Sequence, residues 1–149
     1  MIAYVMCGIP GSGKTTYARD LAKQTNAFLI EGDAIRSKLF GDASVYGRWG
    51  EVWQEVDRLV EENASKTLVL DGTFETTELR SEALSLLNSY GYNEVNLVIM
   101  DTSLSTALER NWTRKRNVPD YIVKEKHSRM EKDFSSVGTE GFATITFVK

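Results

Sequence analysis

Cysteine, histidine and proline are nearly missing from this 149-residue sequence, which contains one, one and two of them. A lone Cys7 cannot close an internal disulfide, and one cysteine beside one histidine leaves no His/Cys cluster of the kind that builds a zinc site. The scarcity of proline, the lack of low-complexity tracts, and a content of 42% apolar and 26% charged residues exclude a disordered or collagen-like chain. Long apolar runs are also missing. The longest, Ile2 to Cys7, falls far short of the roughly 20 residues that span a bilayer, and no positive segment precedes it as a signal peptide would require. These absences predict a soluble, cytoplasmic protein with no membrane partner. Nor is there an excess of positive charge: a net charge of −3 argues against indiscriminate coating of nucleic acid, which depends on many Lys and Arg releasing counterions.

What is present reads as alternating strands and helices in one domain over residues 1–149, long enough to bury roughly 70% of the chain's surface. The run Ile2 to Cys7 suits a strand buried on both faces, and Tyr17, Ala18, Leu21 and Ala22 recur at helical spacing after it. Ala27 to Ile30, Thr67 to Leu70, Glu94 to Met100 and Phe142 to Val148 supply four further strands. Between them lie a short helix to Phe40, an amphipathic helix through Val52, Val56 and Val60, and another through Leu79, Ala83 and Leu87 capped near Gly91. A helix from Leu104 runs into Arg110 to Arg116, and Pro119 opens one more, to about Phe134. Gly41 to Gly50 reads as a loop. Such alternation calls for a parallel sheet covered on both faces, with ligands at the carboxyl ends of its strands.

Gly8-Ile9-Pro10-Gly11-Ser12-Gly13-Lys14-Thr15 satisfies the Walker A pattern, and a strand before it and a helix after it are the context that the motif demands. Gly8, Gly11 and Gly13 let the backbone approach an anion, with Ser12 and Thr16 in the same cradle. Lys14 places charge on the β- and γ-phosphates, acting on phosphate rather than on packing, and the Thr15 hydroxyl ligates Mg²⁺. The expected donor is a nucleoside triphosphate, ATP with Mg²⁺. No Asn-Lys-x-Asp run points to guanine. Asp33 and Asp71 follow the second and third strands, where one carboxylate can orient or deprotonate a nucleophile and the other can stand near the metal. Asp71 is the expected metal ligand. Asp33 is either the base or a cap of its own helix. Asp71-Gly72-Thr73 also matches the end of an Asp-x-Asp-Gly-Thr phosphatase motif, but Val69 occupies the nucleophile's position and excludes that reading.

The small net charge conceals a dipole: residues 110–132 contain eight Lys or Arg against three Asp or Glu, and the rest of the chain ten against eighteen. Arg110, Arg114 and Arg116 straddle the junction before Pro119, like the lid of small kinases that lays an Arg over the transferring phosphate, here near 110–119. Lys124, Lys126, Arg129 and Lys132 read as a solvated helix face. Three stretches together, Gly8 to Thr16, Asp33-Ala-Ile-Arg36 and Arg110-Asn-Trp-Thr-Arg114 leading to Val118-Pro119, resemble the kinase domain of polynucleotide 5'-hydroxyl kinases of the bacteriophage and bacterial RNA-repair type. The resemblance implies a P-loop kinase fold, for which a sheet order of 2-3-1-4-5 is expected. It also implies that Asp33 is the general base, that Arg36 holds an acceptor 3'-phosphate, and that Arg114 contacts the donor phosphates, where the lid pattern places Arg110 as well. The implied acceptor is the 5' end of a DNA or RNA strand. Kinases of small hydroxyl compounds share this layout, and a nucleotide-dependent NTPase acting on water is the other class left open.

Aromatic residues divide between two roles. Trp53 lies in an apolar stripe and is expected in the core. Tyr46 and Trp49, beside Arg48, either stack on a base or anchor their loop. His127 is expected to pack on a helix face, and Cys7 to be an inert core thiol.

Overall fold

The computed structural model describes residues 1–42, 49–114 and 118–149. Five strands, β1 (Ile2–Cys7), β2 (Phe28–Glu31), β3 (Leu68–Asp71), β4 (Glu94–Met100) and β5 (Thr144–Val148), form one sheet of order β2-β3-β1-β4-β5. Every pairing is parallel, as the sequence pattern predicts. The helices are α1 (Lys14–Thr25), α2 (Gly32–Phe40), α3 (Trp49–Glu62), α4 (Thr77–Ser89), α5 (Leu104–Thr113) and α6 (Asp120–Asp133), with a 3₁₀ turn at Phe134–Thr139.

The period of two along β1 sorts the core into two layers. Ala3, Val5 and Cys7 join Leu68, Leu70, Leu97 and Ile99 on the face that α3, α4 and α6 cover through residues such as Val56, Leu87 and Val123. Met6, with Val69 and Val98, meets Ala18 and Ala22 of α1 on the other face. The edge strand β5 is the least enclosed, with Phe147 half exposed, because one of its sides has no neighbour.

Several boundaries differ from those expected. Strand β2 starts and ends one residue later than Ala27 to Ile30, so Glu31 pairs with Asp71 in register. Trp49 and Gly50 open α3 rather than close a loop, and α5 stops at Thr113. Residues 43–48 and 115–117, with Tyr46, Arg48 and Arg116, lie outside the described residues. The parallel sheet brings the ends of β1, β2 and β3 to one edge, where Met6, Glu31 and Asp71 stand side by side, with Gly8 and Gly32 just beyond them.

Candidate active site

The turn between β1 and α1 is shaped by its glycines. Gly11 and Gly13 both adopt φ of 85°, where a side chain is strained, and a Cβ on Gly11 would stand 2.2 Å from the Ala107 carbonyl oxygen. Gly13 is the N-cap of α1 and no side chain caps that helix, which leaves first-turn N–H groups to face a ligand. The turn is tied to its surroundings by the Gly8 N–H, which donates to the Thr73 carbonyl at 3.0 Å, and by the Thr102 hydroxyl, which donates to the Ser12 carbonyl at 3.1 Å.

A cavity of about 260 Å³ opens over this turn, lined by Gly11 to Thr16 on one side and by Asp33 and Arg36 of α2 on the other. Arg110 and Arg114 line it from the end of α5, and Lys126 from α6. Lys14, Arg36, Arg110, Arg114 and Lys126 thus face a single carboxylate, Asp33, in its lining. This balance fits a polyphosphate, as does the buried Ser12 hydroxyl, which has no hydrogen-bond partner among the described residues. Gly8 stands outside the lining. The Arg110 guanidinium lies 3.6 Å from where a Gly13 Cβ would be, so the arginine overhangs the turn.

Asp71, at the end of β3, receives a hydrogen bond from Lys14 Nζ at 2.8 Å and one from Thr15 Oγ1 at 3.3 Å. The hydroxyl and carboxylate expected to hold Mg²⁺ are therefore adjacent, and hard oxygen donors of this kind suit that ion. Asp33 sits in the first turn of α2, whose N-cap is Glu31 with no side-chain capping bond; the reading of Asp33 as a cap is not realised. Arg36 NH1 donates to Asp33 Oδ1 at 3.3 Å. Arg110, in the last turn of α5, and Arg114, at its C-cap, both line the cavity.

One expectation is overturned. Lys126 does not belong to a solvated helix face; it lines the cavity and donates to the buried Glu75 Oε1 at 3.1 Å. Hydrophobic packing of Val123 and Met130 rotates α6 so that Lys126 points inward while Lys124 and Lys132 stay exposed. Trp53 is only partly buried and, with Trp49 and Phe74, lines a second cavity that adjoins the first. Trp49 stacks on Trp53 at 5.3 Å and donates from Nε1 to Glu82 at 3.1 Å. His127 contacts Glu131 at 3.5 Å, and its Nε2 takes no position in the cavity.

Two further residues support the site, and the sequence pattern does not single them out. Arg80, fully buried in α4, forms a two-pronged ion pair with Glu140 at 2.7 and 2.9 Å and donates to the Phe74 carbonyl at 2.9 Å. Asn111 clasps Val118 through both backbone groups, at 2.6 and 3.0 Å, and so holds Val118 against α5. The only local clue is a polar residue on the apolar face of a helix. Cys7 donates to the same Phe74 carbonyl at 3.3 Å, and burial pushes its thiol up to about 12, which makes it the inert core thiol expected.

A glycine-rich anion cradle at the carboxyl edge of a 2-3-1-4-5 parallel sheet defines a P-loop protein of the kinase-type fold, one that implies a nucleotide and typically Mg²⁺. The chain belongs to a family described as AAA domain, whose model matches residues 4–137. It is 29% identical over 131 residues to a protein of Autographa californica nuclear polyhedrosis virus named as a bifunctional polynucleotide kinase/RNA ligase, a match covering 77% of this chain and 18% of that relative. The chain therefore spans under a fifth of that relative's length. Among solved structures it resembles Chaetomium thermophilum Kti12 in complex with ADP-AlF3, with a TM-score of 0.74, 14% identity and coverage of 98% and 88% of the two chains. It resembles a gluconokinase from Sinorhizobium meliloti 1021 with a TM-score of 0.64, 20% identity and coverage of 98% and 82%. For the Pnkp1/Rnl/Hen1 complex the TM-score is 0.58 at 20% identity, over 77% of this chain and 42% of that one.

Proposed function

We propose that this chain is an ATP-dependent kinase that moves the γ-phosphate of ATP to the 5'-hydroxyl of a DNA or RNA end. One arrangement supports the reading above all: the Walker A turn with Lys14 forms one wall of a cavity whose other wall carries Asp33 and Arg36. Donor phosphates and an acceptor hydroxyl can meet between them. The similarity to a virus protein named as a polynucleotide kinase/RNA ligase points to the same acceptor.

In this reading Lys14 and the N–H groups of residues 11–16 hold the β- and γ-phosphates. Thr15 and Asp71 would hold Mg²⁺, which would neutralise phosphate charge. The Asp33 carboxylate takes the proton of the 5'-hydroxyl as its oxygen bonds to the γ-phosphorus, while the bond from that phosphorus to the bridging oxygen breaks and ADP leaves. Arg110 and Arg114 meet the negative charge that spreads over the transferring oxygens, and Arg36 binds an acceptor 3'-phosphate. Holding both reactants in one cavity lowers the entropic part of the barrier.

Incubation with γ-labelled ATP tests this, using 5'-hydroxyl DNA and RNA oligonucleotides beside nucleosides, sugars and aminoglycosides, with an acceptor-free control. Labelled oligonucleotide ends are expected. Labelling of a small hydroxyl compound alone would replace the acceptor and keep the kinase, a reading for which the likeness to a gluconokinase supplies the fold. Release of free phosphate at the same rate with and without every acceptor would overturn the kinase itself.

A further inference from the structure

The second cavity, about 590 Å³, meets the phosphate cavity at Arg36, Thr73 and Lys126. One wall is aromatic: Trp49 and Trp53 stack at 5.3 Å with 26° between planes, and Phe74 stands edge-on to them at 6.5 and 6.4 Å. Its lining also includes Glu75, which is only 2% exposed. Lys126 at 3.1 Å and Arg129 at 3.8 Å stand against one oxygen of that carboxylate, whereas the other, Oε2, has no hydrogen-bond partner among the described residues. The segment that carries Glu75 is held in place at a cost. Phe74 takes φ of 46°, a left-handed conformation rare for a bulky side chain, and Arg80 and Cys7 both donate to its carbonyl.

A buried carboxylate oxygen without a protein donor is expensive, and at the edge of a cavity it offers an acceptor to a ligand. The ligand has to present a flat face to the tryptophans and an N–H at its edge to Glu75, and it has to reach the phosphate cavity. We propose that this cavity receives the base of the acceptor's terminal nucleoside, with one face on the Trp49–Trp53 wall and an edge N–H donated to Glu75 Oε2, the sugar lying at the junction by Arg36 and Thr73. The inference rests on the polynucleotide reading above and adds what that reading leaves open: the enzyme grips the terminal base as well as phosphate.

The test uses the whole chain with ATP and 5'-hydroxyl oligonucleotides that differ only in the terminal residue, one of four normal nucleotides or an abasic one. The abasic end should lower kcat/KM at least tenfold. Glu75→Gln, which replaces an acceptor-only group by one that also donates, should change the relative kcat/KM across the four bases at least fivefold while circular dichroism reports an intact fold. Nucleoside 3'-phosphates titrated into a Trp112→Phe background should quench the remaining tryptophan emission to saturation. Equal use of abasic and normal ends within twofold overturns the base pocket and leaves the polynucleotide kinase reading standing. If no oligonucleotide is labelled, that reading falls, and the titration alone decides the pocket: saturable quenching supports it and its absence overturns it.

Discussion

Lys14 Nζ stands 2.8 Å from Asp71 Oδ1, so the cation of the phosphate-binding turn is held against the carboxylate at the end of β3, and both side chains are largely buried. The sequence alone gives Lys14 a role on phosphate and none in packing. The ion pair adds a structural share.

Lys14→Ala should therefore do two things. Phosphoryl transfer should fall more than tenfold, about 1.4 kcal/mol in the barrier. Chemical denaturation should also register a loss of about 1–3 kcal/mol, because a buried carboxylate loses its partner. Retention of more than a tenth of the wild-type rate would sink the Walker A assignment.

Asp33 and Asp71 should respond differently to the same change. Asp33→Asn keeps the shape of the cavity wall, so ATP affinity measured by calorimetry should stay within about threefold while kcat drops at least ~100-fold, the worth of a positioned base. Asp71→Asn should weaken Mg²⁺ dependence and stability together, since its carboxylate holds Lys14 and Thr15. An indispensable Asp71 beside a dispensable Asp33 would reverse the two roles.

Arg80→Met should leave Glu140 buried and unpaired, at a cost of about 3–5 kcal/mol in denaturant titrations. The double variant Arg80→Met with Glu140→Leu should recover most of that stability. It should not recover activity, because the Phe74 carbonyl still lacks the donor now at 2.9 Å and the 72–76 segment loses its anchor. Full recovery of KM for the acceptor in the double variant would show that Arg80 serves stability alone.

Glu55 links α3 to α2. Hydrogen bonds from Arg58, and then from Lys38, bring its carboxyl down to about 2 from the ordinary 4.5. A carboxyl held below its unfolded value stabilises the fold fully above about pH 4.5 and loses that share as pH falls towards 2. The gap in denaturation midpoint between wild type and Glu55→Gln should accordingly be constant near neutrality and close over that window. A gap that does not change between pH 6 and pH 2.5 would count against the hydrogen bonds.

How far the site could be read in advance follows from the range of each interaction. The turn from Gly8 to Thr16, the parallel order of the strands and the placement of Asp33, Arg36, Arg110 and Arg114 about one cavity all follow from local pattern together with the family resemblance. The one-residue shifts of β2 and β3 are not legible because strand ends carry little periodicity, and Asp33 does not cap α2 because Glu31 supplies the N-cap backbone. The inward turn of Lys126 is not legible either, since a lysine's charge says nothing about which way its helix is turned.

The sequence by itself determined the anion cradle and the alternating layers, because positive-φ glycines and the periods of 2 and 3.6 act within a few residues of one another. Only the tertiary structure decided that Glu75 meets Lys126 across 51 positions, that Arg80 meets Glu140 across 60, and that two tryptophans of α3 face the cavity beside the phosphates. Those pairings arise from how α3, α4 and α6 seat on the sheet, where close packing selects one rotation of each helix and thereby chooses which polar groups are buried together.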